Sequence, residues 1–514
     1  MQTLLDKHIY PFLFAVYPVL ALLGSNIEEI KIYPAFRVLL VSILISAVIY
    51  FSLVRMIKDR DKAALVTSLV LILFFSYGHI YNLFKSSEKW GSIFGRHRIL
   101  LSIWIILVIA GVLFILRKNA GKKSLNRFLN VIAITAVVIP IIQISTYGVS
   151  NFSSGLSTPA NYGTQNVLSL RPNELSPDIY YVILDAYARD DTLLEDFKLD
   201  NSQFLTQLED IGFFVGYCSQ SNYAQTALSL ATSLNLNYLE ALGDQYTPGS
   251  TTRVGIRELI QDSKVRNLLE NLGYLVVSFE TGFKITQWED ADIYKSPRKG
   301  IQGDSQFFGG INDFEVLLLR NSLVRIVIDG SVLLPQFLQP DLDNPKRVHH
   351  ERVHYVIDQL GQLPDIPGPK FVFAHLVIPH GPFVFEANGD FVEYDKLYHP
   401  GYKDQITFIN HQLAPILQEI IRNSDPKPII ILQADHGAVR SAPDKRMHIL
   451  NAYFLPGDGE ELVYEGISPV NTFRIIFNRY FGGNYDLLED VSYFSTYNHP
   501  YKFTLIPDNR LGCK

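Results

Sequence analysis

The 514-residue sequence predicts an α/β domain with a mainly parallel sheet, carried behind five transmembrane helices. Three observations lead there. Five stretches before residue 150 contain no Asp, Glu, Lys or Arg. From Val149 to Ser176 the composition turns to Ser, Asn, Gly, Pro and Thr. Beyond it, short β-rich runs alternate with helical patterns, the signature of strands joined by crossover helices. The expected domains are therefore a transmembrane unit over 1–150, a linker over 151–176 and a catalytic-sized α/β domain over 177–514.

The apolar stretches are His8–Asn26, Val38–Val54, Ala63–Phe84, Ile99–Leu116 and Phe128–Ser150. A spanning helix needs about 17–25 apolar residues, because hydrocarbon offers its backbone no hydrogen-bond partner. The first lacks a small-residue cleavage site after it, which favours an uncleaved helix over a signal peptide. Arg55, Lys58, Arg60 and Lys62 join the second and third stretches, and Arg117, Lys118, Lys122, Lys123 and Arg127 join the fourth and fifth. With both basic loops in the cytoplasm, the N-terminus is cytoplasmic and the domain after residue 150 is extracytoplasmic. The loop 85–98, on the outer side in this arrangement, also carries four basic residues.

A net charge of −6 gives no reason to expect a nucleic-acid partner. Cys218 and Cys513 form neither a disulfide framework nor a CxxC zinc site, and Cys218 reads as an ordinary buried thiol.

Strands are expected at Ile179–Leu184, Tyr274–Phe279, Lys370–Leu376 and Pro428–Ala434, with helices over 255–272 and 403–421. Ligands of open α/β sheets bind beyond the carboxyl ends of the strands. The first strand runs into Asp185. The third carries His375 and leads into Ile378-Pro379-His380-Gly381-Pro382. The fourth runs into Asp435-His436-Gly437. Three strands that deliver carboxylate and imidazole to one edge supply ligands suited to Zn²⁺ or Mn²⁺.

These residues resemble the alkaline phosphatase and sulfatase superfamily over roughly 177–456. The likeness is greatest to its membrane-anchored branch of lipoteichoic acid synthases and lipid A phosphoethanolamine transferases, which also place five helices before an extracytoplasmic domain. The resemblance implies an alkaline-phosphatase-like (sulfatase-like) α/β sandwich. Asp185 matches the family's first acidic ligand. Thr226-Ala-Leu-Ser229 matches its Thr-x-x-Ser nucleophile segment, and Asp435 and His436 match its Asp-His-Gly pair. His375 and Pro379-His380-Gly381-Pro382 match a His followed by Ser-His-Gly-Pro, with Pro in place of Ser. His448 falls where the transferases carry a further His. The implied metal ligands are Asp185, Thr226, Asp435 and His436, holding one or two divalent ions, Zn or Mn. The implied catalytic residues are Thr226, His380 and His448, with His375 in support of His380 or the strand end.

The chemistry is consistent with those roles. A Thr hydroxyl needs a metal or a base to become a nucleophile, and a helix N-terminus favours a bound phosphate. The segment Cys218-Ser-Gln-Ser-Asn222 faintly resembles the sulfatase maturation motif, but Gln220 replaces its Pro and Asn222 its Arg. Arg440 and Arg446 suit a phosphate clamp or a solvated loop equally well. His349, His350 and His354 are read as the solvated face of an amphipathic helix, and His411 as packing beneath the sheet.

The expected function is a metal-dependent hydrolase or transferase moving a phosphoryl-type group through a Thr nucleophile. Its substrate would be a membrane lipid or a cell-surface glycan or polyol phosphate, at a cell inner membrane. The rival readings are a sulfuric ester hydrolase and a non-catalytic binding domain with a vestigial metal site.

Overall fold

The computed structural model describes residues 6–27, 33–85, 91–117, 123–156, 176–251, 253, 255–297, 313–329 and 345–507. Its apolar stretches fold as α1 (Tyr10–Ser25), α2 (Tyr33–Ile57), α3 (Arg60–Lys85), α4 (His97–Arg117) and α5 (Lys123–Leu156). The last four are long and apolar enough to cross a membrane. The first has 16 residues, about 24 Å at 1.5 Å per residue. Phe36, Val48, Phe51, Ile106, Phe114, Phe128 and Ile142 are exposed on these helices. An apolar surface of that extent is what lipid solvates and water does not. The helix α5 runs on to Leu156, into the stretch expected as linker, and 157–175 lies outside the described residues.

The chain divides into two compact units, Met1–Ser153 with Gly303–Leu342, and Ser154–Gln302 with Asp343–Lys514. In the first unit, polar groups tie the helices at one end. Asp61 accepts from His8 Nε2 and Asn126 Nδ2, both at 2.5 Å. Arg127 pairs with Asp6, and Lys62 Nζ donates to the Leu116 carbonyl at 2.9 Å. The N-terminus and the flanks of both basic loops therefore share an end, as an up-and-down arrangement of five helices requires. At the other end lies the segment 313–329, with the helices Asp313–Arg320 and Arg325–Ile328. Phe314 and Leu318 cluster with Val19, Leu23 and Val38, and Ile326 with Tyr77, Tyr81 and Trp104.

The second unit is built on β1 (Ile179–Leu184), β2 (Phe214–Val215), β3 (Leu275–Phe279), β4 (Ile293–Lys295), β5 (Lys370–Leu376), β6 (Ile429–Ala434) and β7 (Asn451–Phe454). The sheet order is β2-β7-β6-β1-β5-β3-β4. Every pairing from β6 to β4 is parallel, while β7 joins β6 and β2 antiparallel. A separate hairpin pairs β8 (Ser492–Thr496) with β9 (His499–Ile506).

Five helices carry the rest of the argument: α6 (Asp190–Phe197), α7 (Thr226–Asn235), α8 (Pro345–Leu360), α9 (Tyr398–Asn423) and α10 (Pro469–Phe481). The strand β1 is buried along its whole length, which is why it reads as an unbroken apolar run. Alternate residues serve opposite cores. Tyr180, Val182 and Leu184 pack with Leu360 of α8 and Leu413 of α9. Tyr181 and Ile183 pack with Leu230 of α7 and Phe473 of α10. The helix expected over 255–272 is broken into Ile256–Gln261 and Lys264–Asn271, because the Ser263 side chain accepts from the Arg266 amide and starts a new helix.

Candidate metal centre

The central strands β5, β1 and β6 are neighbours and end level, with Leu184 opposite both Leu376 and Ala434. The residues just past β1 and β6, Asp185 and Asp435, are therefore adjacent. His375 lies opposite Ile183, one of the residues packed on the α7 side of the sheet. Ligand atoms of Asp185, His375 and Asp435 all lie within 4.8 Å of one another, and all three residues are buried.

Each group is held by one side and left open on the other. Asp435 Oδ1 accepts the amides of Ala186 and His436, both at 2.9 Å, while Oδ2 is buried without a hydrogen-bond partner. His375 Nδ1 bonds the Thr286 hydroxyl at 2.9 Å, and its Nε2 is buried, unpartnered and 3.8 Å from Asp185 Oδ2. Asp185 Oδ1 is likewise buried and unpartnered. Orphaned buried polar atoms are rare in folded proteins, and three that face one another fit a cation. His436 stands beside this set: Nδ1 donates to the Gly437 carbonyl at 3.1 Å, while Nε2 lies 3.4 Å from Asp435 Oδ2 and 3.8 Å from Asp185 Oδ1 but accepts from Arg446 at 3.0 Å, so it is a fourth ligand only where Arg446 gives way.

Burial and the neighbouring Asp435 carboxylate push the Asp185 pKa well up. Burial works against Asp435 also, but His436, His375 and the Thr226 hydroxyl together hold its pKa below the ordinary value. Two carboxylates this deeply buried keep both charges only with a cation between them. Burial pushes His375 down to about 4 and, with Arg446 adding to it, His436 down to about 3. Both imidazoles are thus neutral near pH 7, the form that ligates metal.

Thr226 is the first residue of α7 and half-buried, with its Oγ1 3.2 Å from His436 Nε2. The structure thus brings together Asp185, Thr226, His375, Asp435 and His436. His380 stands apart. Its Nδ1 donates to the Gly381 carbonyl at 2.7 Å, and its Nε2 accepts from Arg440 at 3.2 Å. His448 is held by Arg189 and Thr192, whose Nη2 and Oγ1 lie 3.2 and 3.0 Å from its Nδ1, and its buried Nε2 has no partner. A cavity of about 380 Å³ opens beside Asp185, lined by Ala186, His380, Phe383, Tyr398, Arg440 and Arg446 among others.

Several residues have places the sequence did not suggest. Arg446 is a buried brace rather than a solvated loop residue: it donates to the carbonyls of Ala224 and Gly437 and to His436 Nε2. It thereby joins the approach to Thr226 to the loop after β6. Thr286 fixes the His375 ring. Ala186 has φ 65°, in the left-handed region, where Tyr402 holds it by donating to its carbonyl at 2.8 Å. Cys218 is disulfide-bonded, not an ordinary thiol; Cys513, the other cysteine, lies outside the described residues. Asn222 is saturated by Tyr238, Ser468, the Val491 carbonyl and the Val470 amide, so it braces the structure. His349 is buried, His350 and His354 stand against Phe385, and His411 is exposed, each the reverse of its expected setting.

No protein-family model matches the chain, and no curated protein matches it. Solved structures do. The C-terminal periplasmic domain of EptC from Escherichia coli, in complex with Zn, is similar at 12% identity and a TM-score of 0.40, over 66% of this chain and 93% of that one. The integral membrane lipooligosaccharide phosphoethanolamine transferase A from Neisseria meningitidis is similar at 12% identity and a TM-score of 0.39, over 91% of this chain and 92% of that one. The lipoteichoic acid synthase LtaP from Listeria monocytogenes gives 12% identity and a TM-score of 0.36, over 61% and 76%.

Proposed function

We propose that this chain is a membrane-anchored, metal-dependent enzyme that moves a phosphoryl-type group on a lipid-linked or cell-surface substrate through Thr226. The observation that carries the reading is the set of buried, unpartnered ligand atoms on Asp185, His375 and Asp435, beside a half-buried Thr at a helix N-terminus. Asp185, Asp435 and His375 would hold one divalent ion, Zn or Mn, with His436 joining them once Arg446 releases its Nε2. When bound, that ion supplies positive charge that favours a Thr226 alkoxide and a phosphate oxygen.

The chain's own groups do the rest. Thr226 Oγ1 bonds the phosphorus as the P–O bond to the first leaving group breaks, that group leaving with the proton the hydroxyl gives up; the Oγ1–P bond breaks in turn when the acceptor oxygen attacks, and the amides of the first turn of α7 face the phosphate oxygens. Arg446 holds the Ala224 carbonyl, and with it the entry to α7, in register with His436. His380 lines the cavity, and burial lowers its pKa, so it is neutral; its Nε2 can take the proton of an incoming acceptor hydroxyl once Arg440 releases it. His448, oriented by Arg189 and Thr192, is the second imidazole assigned to proton transfer or phosphate binding. A disulfide at Cys218 suits an oxidising compartment, which supports the second unit's place outside a bacterial-type inner membrane, with the N-terminus cytoplasmic.

The test uses the full chain in detergent, with bis-p-nitrophenyl phosphate and p-nitrophenyl sulfate as probes, beside Thr226→Ala. Metal-dependent phosphodiester turnover that vanishes in the variant while metal is retained supports the reading. Undiminished turnover in the variant removes Thr226 as nucleophile. Turnover of the sulfate alone favours a sulfuric ester hydrolase, and neither metal nor turnover favours a binding domain.

A further inference from the structure

The segment 313–329 is spliced into the side of α3. An uninterrupted helix would bond the Gly78 amide to Phe74; here that amide donates to the Asn321 carbonyl at 3.1 Å, and the Phe74 carbonyl takes the Leu323 amide at 2.8 Å. A Cβ at position 78 would lie 2.4 Å from the Arg320 carbonyl oxygen, so glycine is what admits the segment. Gly78 is seven residues before the end of α3, which places the splice about 10 Å below that end. The helix has 26 residues, about 39 Å against a hydrocarbon core of about 30 Å, so the splice falls in the outer part of the span, near the headgroups.

The neighbouring Arg37, Arg325 and His97 side chains are matched. Arg37 Nε donates to Glu315 at 2.6 Å. Arg325 bonds Asp329 at 3.0 Å and Asn82 at 2.6 Å, and lies over the Tyr81 ring. His97 bonds Asp329 and the Tyr77 hydroxyl, both at 2.9 Å, and stacks on Tyr81. Arg320 is the exception. Its guanidinium makes no hydrogen bond or ion pair among the described residues, and its Nε is buried. Its charged neighbours are Asp329, already engaged twice, and Arg325, which repels it. Leu318 and Leu323, on either side of it in the chain, belong to apolar clusters. A lipid phosphate oxygen is the anion available to compensate a guanidinium with an unmet donor near the edge of hydrocarbon.

We infer that Arg320 is a subsite for the phosphodiester of a membrane lipid, built by the splice of 313–329 onto α3. The inference stands on the first unit alone and survives if the proposed reaction fails. The ligand chemistry is a phosphodiester anion on a diacyl anchor, not a free anion.

The measurement is native mass spectrometry of the full chain in a neutral detergent, titrated with phosphatidylglycerol, diacylglycerol or inorganic phosphate. Phosphatidylglycerol is expected to be retained and diacylglycerol not. Arg320→Gln is expected to weaken retention about tenfold or more, as loss of a charge-assisted hydrogen bond does. Arg320→Lys, which keeps the charge, recovers part of it, and Arg117→Gln at the opposite end changes nothing. Equal retention by Arg320→Gln and the wild type overturns the inference, as does equal retention of diacylglycerol. Inorganic phosphate retained as tightly as the lipid overturns the lipid assignment. A melting curve for Arg320→Gln within a degree or two of wild type shows that its loss is not unfolding.

Discussion

Burial acts on the ionisable side chains of the second unit in two ways. Around Asp185 it leaves ligand atoms open, and there the orienting partner decides affinity. Thr286→Val removes the bond that aims His375 Nε2 at the carboxylates and is expected to lower Zn or Mn affinity about 10- to 100-fold. His375→Ala is expected to lower it at least as far. Calorimetric metal titration reads both, and unchanged affinity in His375→Ala would take this residue out of the centre. At His349 burial instead isolates an imidazole. Burial, with the Arg352 charge adding to it, pushes its pKa down to about 3. The unfolded chain takes up a proton below about 6.5 and the folded chain does not, so this contribution is complete above pH 6.5 and is lost as pH falls towards 3. The expected slope is about 1.4 kcal/mol per pH unit for one such group. His349→Leu should make the acid-side fall in melting temperature shallower between pH 6 and 4; an unchanged slope would refute the assignment. Asp185, Asp435 and His436 were legible because each follows a strand that announces itself by apolar content. The Thr286 contact to His375 was not, since 89 residues separate the partners and nothing local marks them.

At the scale of elements, what reads clearly is what repeats. The apolar spans and the continuous strands were visible in composition alone, as was the alternation that makes the sheet parallel. What failed to read were interruptions and continuations, because these depend on single contacts. Ser263 divides a helical pattern by capping its second half, and α5 runs on through Ser, Asn and Gly whose low propensity is only a weak bias. The apolar run of 313–329 is too short for a span and ordinary for an α/β domain, so nothing local marks it as part of the first unit. Its splice makes a sharp prediction at Gly78. A leucine there drives Cβ into the Arg320 carbonyl and forces the segment off α3. Gly78→Leu is therefore expected to lower the melting temperature and to expose the amides of 321–323 to hydrogen exchange. Wild-type protection at those amides would show that the splice does not hold in solution.

On the scale of the whole molecule, the division of the chain changes what can be cut from what. The second unit is joined to the first at 153–154, and again where the chain leaves at Gln302 and returns at Asp343. Among the described residues, Phe314, Leu318 and Ile326 are buried against the helices of the first unit. A fragment that begins after the linker would carry these side chains uncovered, which is why the full chain is the proper material for the activity test. Burial of three such side chains contributes about 1.5–3 kcal/mol each, with the Arg37–Glu315 pair and the backbone splice in addition. That is enough to hold the segment after the linker is severed. A protease site inserted at residue 165 and cleaved in isolated membranes should therefore leave the C-terminal fragment in the pellet through a high-salt wash, and detergent should co-purify the two fragments. The same cleavage in Gly78→Leu should release it. Release from the wild-type protein at high salt would mean that the linker alone anchors the second unit, and that 313–329 is not part of the membrane unit.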